Sequence, residues 1–99
     1  MLAGNALLVK TTSSCPAFGE LIEKLVRQAG FDGGEYQCIH ASYDMLDKIL
    51  AHKSVAGVSF TGSTAAGSKI SAKAGQYLKK SVMELGGNDP FVVLKDADL

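Results

Sequence analysis

The sequence predicts an α/β domain built on a mainly parallel sheet. Short apolar runs alternate with segments of helical period, apolar positions in the longer segments recur at three- and four-residue steps, and glycine or proline punctuates the joins. Right-handed crossovers between parallel strands would then place the helices against one or both sheet faces.

Residues 6–10 (ALLVK) form an apolar run suited to a strand buried on both faces. Pro16 fits the first turn of a helix, with Ser13 and Ser14 just ahead as candidate caps. Phe18, Leu21, Ile22, Leu25, Val26 and Ala29 make one apolar helix face, and Gly30 ends it. FDGG is a turn and EYQCIH a second strand. A second helix follows over SYDMLDKILAH, with Met45, Leu46, Ile49 and Leu50 on one side. VAGVSF is the third strand. Residues 62–78 read as a third helix with Ala66, Ile70, Ala74, Tyr77 and Leu78 inward, and KSVME and FVVLK as fourth and fifth strands.

Bulk properties narrow the function classes. Of 99 residues, 46% are apolar and 20% charged, as in soluble globular proteins. A formal net charge of zero gives no electrostatic reason to expect nucleic acid or an anionic membrane as partner. No apolar run is long enough to span a bilayer, and the start lacks the basic and apolar regions of a signal peptide. Cys15 and Cys38 have no CxxC spacing, and His40 and His52 stand far apart. Reduced thiols in the cytoplasm are therefore expected, without a disulfide framework or a metal site. The abrupt start and stop lead us to expect a fragment of a longer protein.

The informative turn is VSFTGSTAAGSKI, where a strand runs into Thr61-Gly62 and Ser63 and Thr64 open a helix. Small residues let a ligand approach, and the first free amides of a helix favour an anion. Ligands in α/β sheets bind at such carboxyl ends of strands. An ordinary Ser/Thr cap after a glycine turn explains the same residues, and both readings stay open. Two phosphate motifs fail here: Thr64 stands where the dinucleotide fingerprint needs glycine, and Gly67-Ser68-Lys69 is not Gly-Lys-Ser/Thr. One residue of delay swings Lys69 by roughly 100° around the helix. The other unusual position is Glu84, a carboxylate ending an apolar run, where an unpaired buried charge would be costly.

SFTGSTAAG, followed by LKKSVMELGGNDPFVVLKDADL, resembles the cofactor-domain motifs of the aldehyde dehydrogenase superfamily. GNALLVKTTSSCP is similar to that family's first cofactor-binding strand and its lysine. The resemblance covers nearly the whole chain, and its wording is closest to the succinate-semialdehyde dehydrogenase branch. It implies an incomplete Rossmann-like cofactor domain over residues 1–85, with residues 86–99 as the opening strand of a catalytic domain. It also implies NADP or NAD as cofactor, a small-molecule aldehyde as substrate, and a homo-oligomer for the whole enzyme.

The same resemblance implies roles for particular residues. Lys10 would reach the adenosine ribose, Ser63 the pyrophosphate, and the main chain of Leu85 the nicotinamide end, with Gly62 and Ser13 also among the cofactor-binding residues. Gly86 and Gly87 would give that segment room to adapt. Glu84 would be the general base that activates water to hydrolyse a thioester, after a cysteine thiolate has attacked the aldehyde and a hydride has left. Partial burial would raise its carboxyl toward the working pH.

Several departures matter. Neither Cys15 nor Cys38 matches the family's nucleophile, which lies downstream of the glutamate, and the oxyanion-stabilising asparagine is absent too. The segment IHASYDML is shorter than in many relatives. Ser13 replaces a glutamate that repels a 2′-phosphate in NAD-preferring relatives, so NADP should be accepted. A stand-alone nucleotide-binding module, in which Glu84 is dispensable, and a ligand-free α/β interaction domain are the competing readings.

Overall fold

The computed structural model describes residue 1 and residues 3–98. The elements are β1 (Leu7–Val9), α1 (Pro16–Gln28), β2 (Tyr36–Cys38), α2 (Tyr43–Ala51), β3 (Gly57–Thr61), α3 (Thr64–Gln76) and β4 (Lys80–Glu84). Strand and helix alternate as the apolar periodicity requires, and both strand pairs are parallel. The chain divides into two compact units, Met1–Leu46 and Asp47–Leu99, with the boundary inside α2.

In the first unit β1 pairs with β2 through Leu7↔Tyr36, Leu8↔Gln37 and Val9↔Cys38, and α1 is the crossover. Two bonds lengthen the ladder, from the Leu7 amide to the Glu35 carbonyl at 2.7 Å and from the Ile39 amide to the Val9 carbonyl at 2.9 Å. Pro16 lies in the first turn of α1, but Cys15 is the N-cap and its side chain makes no capping bond. The expected serine cap is absent because the chain turns before the helix: the Cys15 amide reaches the Thr12 carbonyl at 3.2 Å, and the Ser14 amide the Thr12 hydroxyl at 3.4 Å. At the other end Phe31 N–H donates to the Val26 carbonyl and Gly30 N–H to that of Arg27, with Gly30 at φ +93°. That is a Schellman closure, which needs a left-handed residue where the sequence supplies glycine.

The single apolar face expected of α1 is divided. Gly19 is buried and Ile22 and Val26 are half-buried, whereas Phe18, Leu21 and Leu25 are exposed. The cause is close packing at Gly19. A methyl group there would fall 2.6 Å from the Thr11 Cγ2 and against the Cys38 sulfur, so only glycine lets the helix sit this close. Glu23 then accepts the Cys38 amide at 2.7 Å, which sets the rotation of the helix. Nor is β1 buried on both faces: Leu7 and Leu8 are exposed, in a sheet that has two strands among the described residues.

In the second unit β3 pairs with β4 from Gly57↔Lys80 to Thr61↔Glu84, with α3 as crossover. Leu50, Ile70 and Ala74 are the buried apolar residues described. Asp47 ties α2 to α3, accepting from the Lys73 ammonium at 2.6 Å and the Tyr77 hydroxyl at 3.3 Å. Leu78 departs from the expected inward face. It lies past the end of α3 at φ +53° and is 93% exposed, while the Lys79 amide closes the helix on the Ala74 carbonyl at 2.9 Å. A branched residue is strained in that region, and here it recovers no burial. Leu78→Gly should therefore raise stability by about 1 kcal/mol, read from urea denaturation of the chain. A lower midpoint would refute this account of the helix end.

Residues 91–95 (FVVLK), expected as a fifth strand, form none. Phe91 is 92% exposed, and the segment ends in a turn from the Ala97 amide to the Leu94 carbonyl. A strand exists only against a partner that satisfies its amides and carbonyls, and no described residue supplies one.

Candidate functional site

The carboxyl ends of β3 and β4 meet at one point of the second unit. Thr61 pairs with Glu84, and the next amide, that of Gly62, donates to the Glu84 carbonyl at 3.0 Å. The chain then turns through Ser63, extended at φ −68°, ψ 149°, into α3. The Ser63 hydroxyl accepts from the Ala66 amide at 3.2 Å, and its carbonyl from Gly67 at 2.9 Å. Ser63 is thus a true cap, yet capping does not exclude an anion. It occupies one donor and leaves the amides of Thr64 and Ala65 without intrahelical acceptors, at the exposed positive end of a 13-residue helix.

Gly62 has a different part from the one its sequence suggests. Its amide is committed to Glu84, and a side chain at 62 would strike the Phe60 ring, 2.7 Å from Cζ. It makes room for an aromatic ring and offers no donor to a phosphate. Leu85 leaves β4 across α3, with its methyl groups against Gly67, and Gly86 follows beside the Thr64 hydroxyl.

Glu84 stands at the strand end but is exposed. Phe60 and Met83 are paired and half-buried, whereas Thr61 and Glu84, one residue on, occupy the opposite, exposed side of the ladder. The partial burial expected around this carboxylate is therefore not provided by the described residues.

In the first unit Lys10 follows β1, exposed, with its ammonium on the Thr11 carbonyl at 3.2 Å. Ser13 lies in the exposed turn before α1. Both are at the carboxyl end of β1, where sheet ligands bind. Cys15 is exposed at the start of α1, and Cys38 is half-buried in β2. Among the described residues no group of His, Cys, Asp and Glu could hold a metal ion.

Sequence reasoning missed Gly19, Gly67 and Glu23. A glycine inside a helix is a visible signal, because it costs roughly 1 kcal/mol relative to alanine and usually marks close packing. Glu23 gave no such sign. Its carboxyl is held below the usual value of 4.5, first by the Cys38 amide and then by Arg27, whose guanidinium lies 2.8 Å away. A depressed pKa stabilises the fold above the unfolded value, and that contribution disappears as pH falls through the folded one. Melting curves of wild type and Glu23→Gln should differ at neutral pH and draw together as the pH falls below 4.5 and through the lowered folded value, and parallel curves across the acid range would refute this.

The aldehyde dehydrogenase family profile matches residues 1–99, the entire length. The chain belongs to the aldehyde dehydrogenase family. This family member is 40% identical over 99 residues to the NADP(+) succinate-semialdehyde dehydrogenase of Deinococcus radiodurans, covering 100% of this chain and 21% of that protein. It is 42% identical over 99 residues to the NAD(P)+ succinate semialdehyde dehydrogenase Sad of Escherichia coli, with the same coverage. The chain thus spans about a fifth of the length of these curated relatives. Among solved structures it resembles succinic semialdehyde dehydrogenase from Streptococcus pyogenes in complex with NADP+, with a TM-score of 0.85 and 42% identity over 96% of this chain and 21% of that one. It also resembles a salicylaldehyde dehydrogenase from Pseudomonas putida G7, with a TM-score of 0.81 and 38% identity over 96% of this chain and 20% of that one. The Rossmann-like reading of the fold agrees with these neighbours.

Proposed function

We propose that this chain is the cofactor-binding part of an NADP-accepting aldehyde dehydrogenase that oxidises a small aldehyde, succinate semialdehyde first among candidates, to its acid. The observation that carries this reading is the Gly62–Glu84 hydrogen bond, which holds the open end of α3 beside the strand end that bears the carboxylate. Two free amides and a helix dipole are the right donor set for a diphosphate, so the residues fit the cofactor. Thr64 and Ala65 would bind the diphosphate with Ser63, Lys10 the adenosine ribose, and the Leu85 main chain the nicotinamide end. Ser13 carries no charge against a 2′-phosphate. Bound NADP+ supplies the acceptor for the hydride. Glu84 takes a proton from water at its carboxylate, so that the water can attack an acyl group. The two relatives named as succinate-semialdehyde dehydrogenases support the choice of aldehyde.

In this reading neither thiol is the nucleophile. The Cys38 sulfur packs against Gly19, and Cys15, exposed at the start of α1, precedes Glu84, whereas the family's nucleophile follows its glutamate. The 99-residue chain alone is therefore inactive as an oxidase of aldehydes. Residues 1–85 belong to the cofactor domain, and 86–99 start the catalytic one. The whole enzyme is a cytoplasmic homo-oligomer. Fluorescence titration with NADPH tests the reading: the intact dehydrogenase should bind saturably, and Ser63→Asp, which sets a carboxylate at the helix start, should weaken binding at least about tenfold. Unchanged NADPH affinity in that variant would remove the diphosphate site from α3.

A further inference from the structure

The glycine within α3 has a place in this site that its helix position alone does not explain. Gly67 is buried one turn into α3, beyond the residues that would meet an anion. A Cβ there would lie 2.9 Å from Leu85 Cδ1 and 3.2 Å from its Cγ, with Cδ2 nearer still. The Leu85 side chain therefore occupies the space that any other residue at 67 would fill. Leu85 directly follows Glu84, whose carbonyl holds the Gly62 amide, and Gly86 would place a Cβ 3.6 Å from the Thr64 hydroxyl. Residues 84 and 85 are thus fastened to the start of α3 at two successive points: a hydrogen bond and a side chain seated on glycine.

We propose that Gly67 is a positioning residue for the reaction, the seat that locks Leu85 and so sets where the Glu84 carboxylate stands relative to the helix end. This rests on the reading of Glu84 as the base. Leu85 is the residue seated on α3 between the strand end and the Gly86-Gly87 pair. A methyl group at 67 has to displace the Leu85 side chain, which fills that space and is 37% exposed, and so frees residue 85 from its seat. It leaves the cap at Ser63 and the amides of Thr64 and Ala65 where they are, since these lie in the preceding turn. The lock therefore acts mainly on the chemical step, and cofactor affinity changes only through the Leu85 main chain at the nicotinamide end.

The test is a cycle of Gly67→Ala, Leu85→Ala and the double variant in the intact dehydrogenase, reading kcat, KM for NADP+ and NADPH affinity. Gly67→Ala should lower kcat by tens of fold, up to about 100-fold for a displacement near 1 Å, with NADPH affinity losing far less than kcat. The double variant should match or exceed the kcat of Leu85→Ala, because the new methyl group fills the space that the truncated leucine leaves. Additive losses, or a loss of NADPH affinity as large as that of kcat, would reduce Gly67 to ordinary packing. Should Gly67→Ala fail to fold, the comparison of Leu85→Ala with the double variant still decides, and a further drop in kcat overturns the proposal. Glu84→Gln in the same assay separates the two ideas: full activity in that variant removes the base, whereas a dead variant beside an additive cycle removes only the lock.

Discussion

Glu84→Gln in the intact dehydrogenase is expected to lower steady-state turnover by about 10²–10⁴-fold, the range that general-base catalysis supplies. The amide keeps the size and the strand-end position of the side chain but cannot take a proton from water. Backbone pairing is untouched, because the bond to Gly62 uses the Glu84 carbonyl, so NADPH affinity and melting temperature should stay near wild type. Rapid mixing sharpens the prediction. If the carboxylate serves only to activate water for deacylation, the first turnover should still release about one equivalent of NADPH before the rate collapses. Wild-type turnover in the glutamine variant would show that residue 84 is an ordinary exposed strand-end acid. The described residues leave the carboxylate open to water.

Ser13→Glu should reverse the choice of cofactor. Ser13 lies in the exposed turn that follows β1, three residues beyond Lys10. A carboxylate there would face a 2′-phosphate at short range, and two like charges about 4 Å apart near a protein surface interact by a few kcal/mol before screening. We expect NADP+ to lose about 10- to 100-fold in kcat/KM while NAD+ loses little or gains. Raising the ionic strength should narrow the gap, since an exposed pair is screened. Equal effects on both cofactors would mean that Ser13 is remote from the ribose.

Most of the element order was legible because each helix advertises itself by period and punctuation. Pro16 and Gly30 bracket α1 for reasons local to the backbone: one lacks the amide that a first helical turn leaves unpaired, and the other takes the left-handed φ that a Schellman closure needs. The turn at Gly62-Ser63 was legible for the same reason, since a cap is a contact between residues three apart. Illegible were the features that depend on what lies across the fold. The stripe of α1 could not reveal that Gly19, rather than Phe18, faces β2. Leu78 matched the helical period yet fell two residues beyond the helix, just past its cap at Tyr77. The FVVLK run has every local mark of a strand and lacks only a partner, which no local pattern encodes.

By itself the sequence determined the order of the first seven strands and helices, the glycine-serine turn that opens α3, and which family motifs the chain carries. These follow from short-range rules: side-chain period, caps, and backbone angles that proline and glycine allow. Only the tertiary structure decided that the Gly62 amide belongs to Glu84, that Glu84 is exposed, and that Leu85 rests on Gly67. Those contacts join residues about twenty positions apart, and their existence depends on the register of β3 against β4, where a shift of one residue would turn each side chain to the other face.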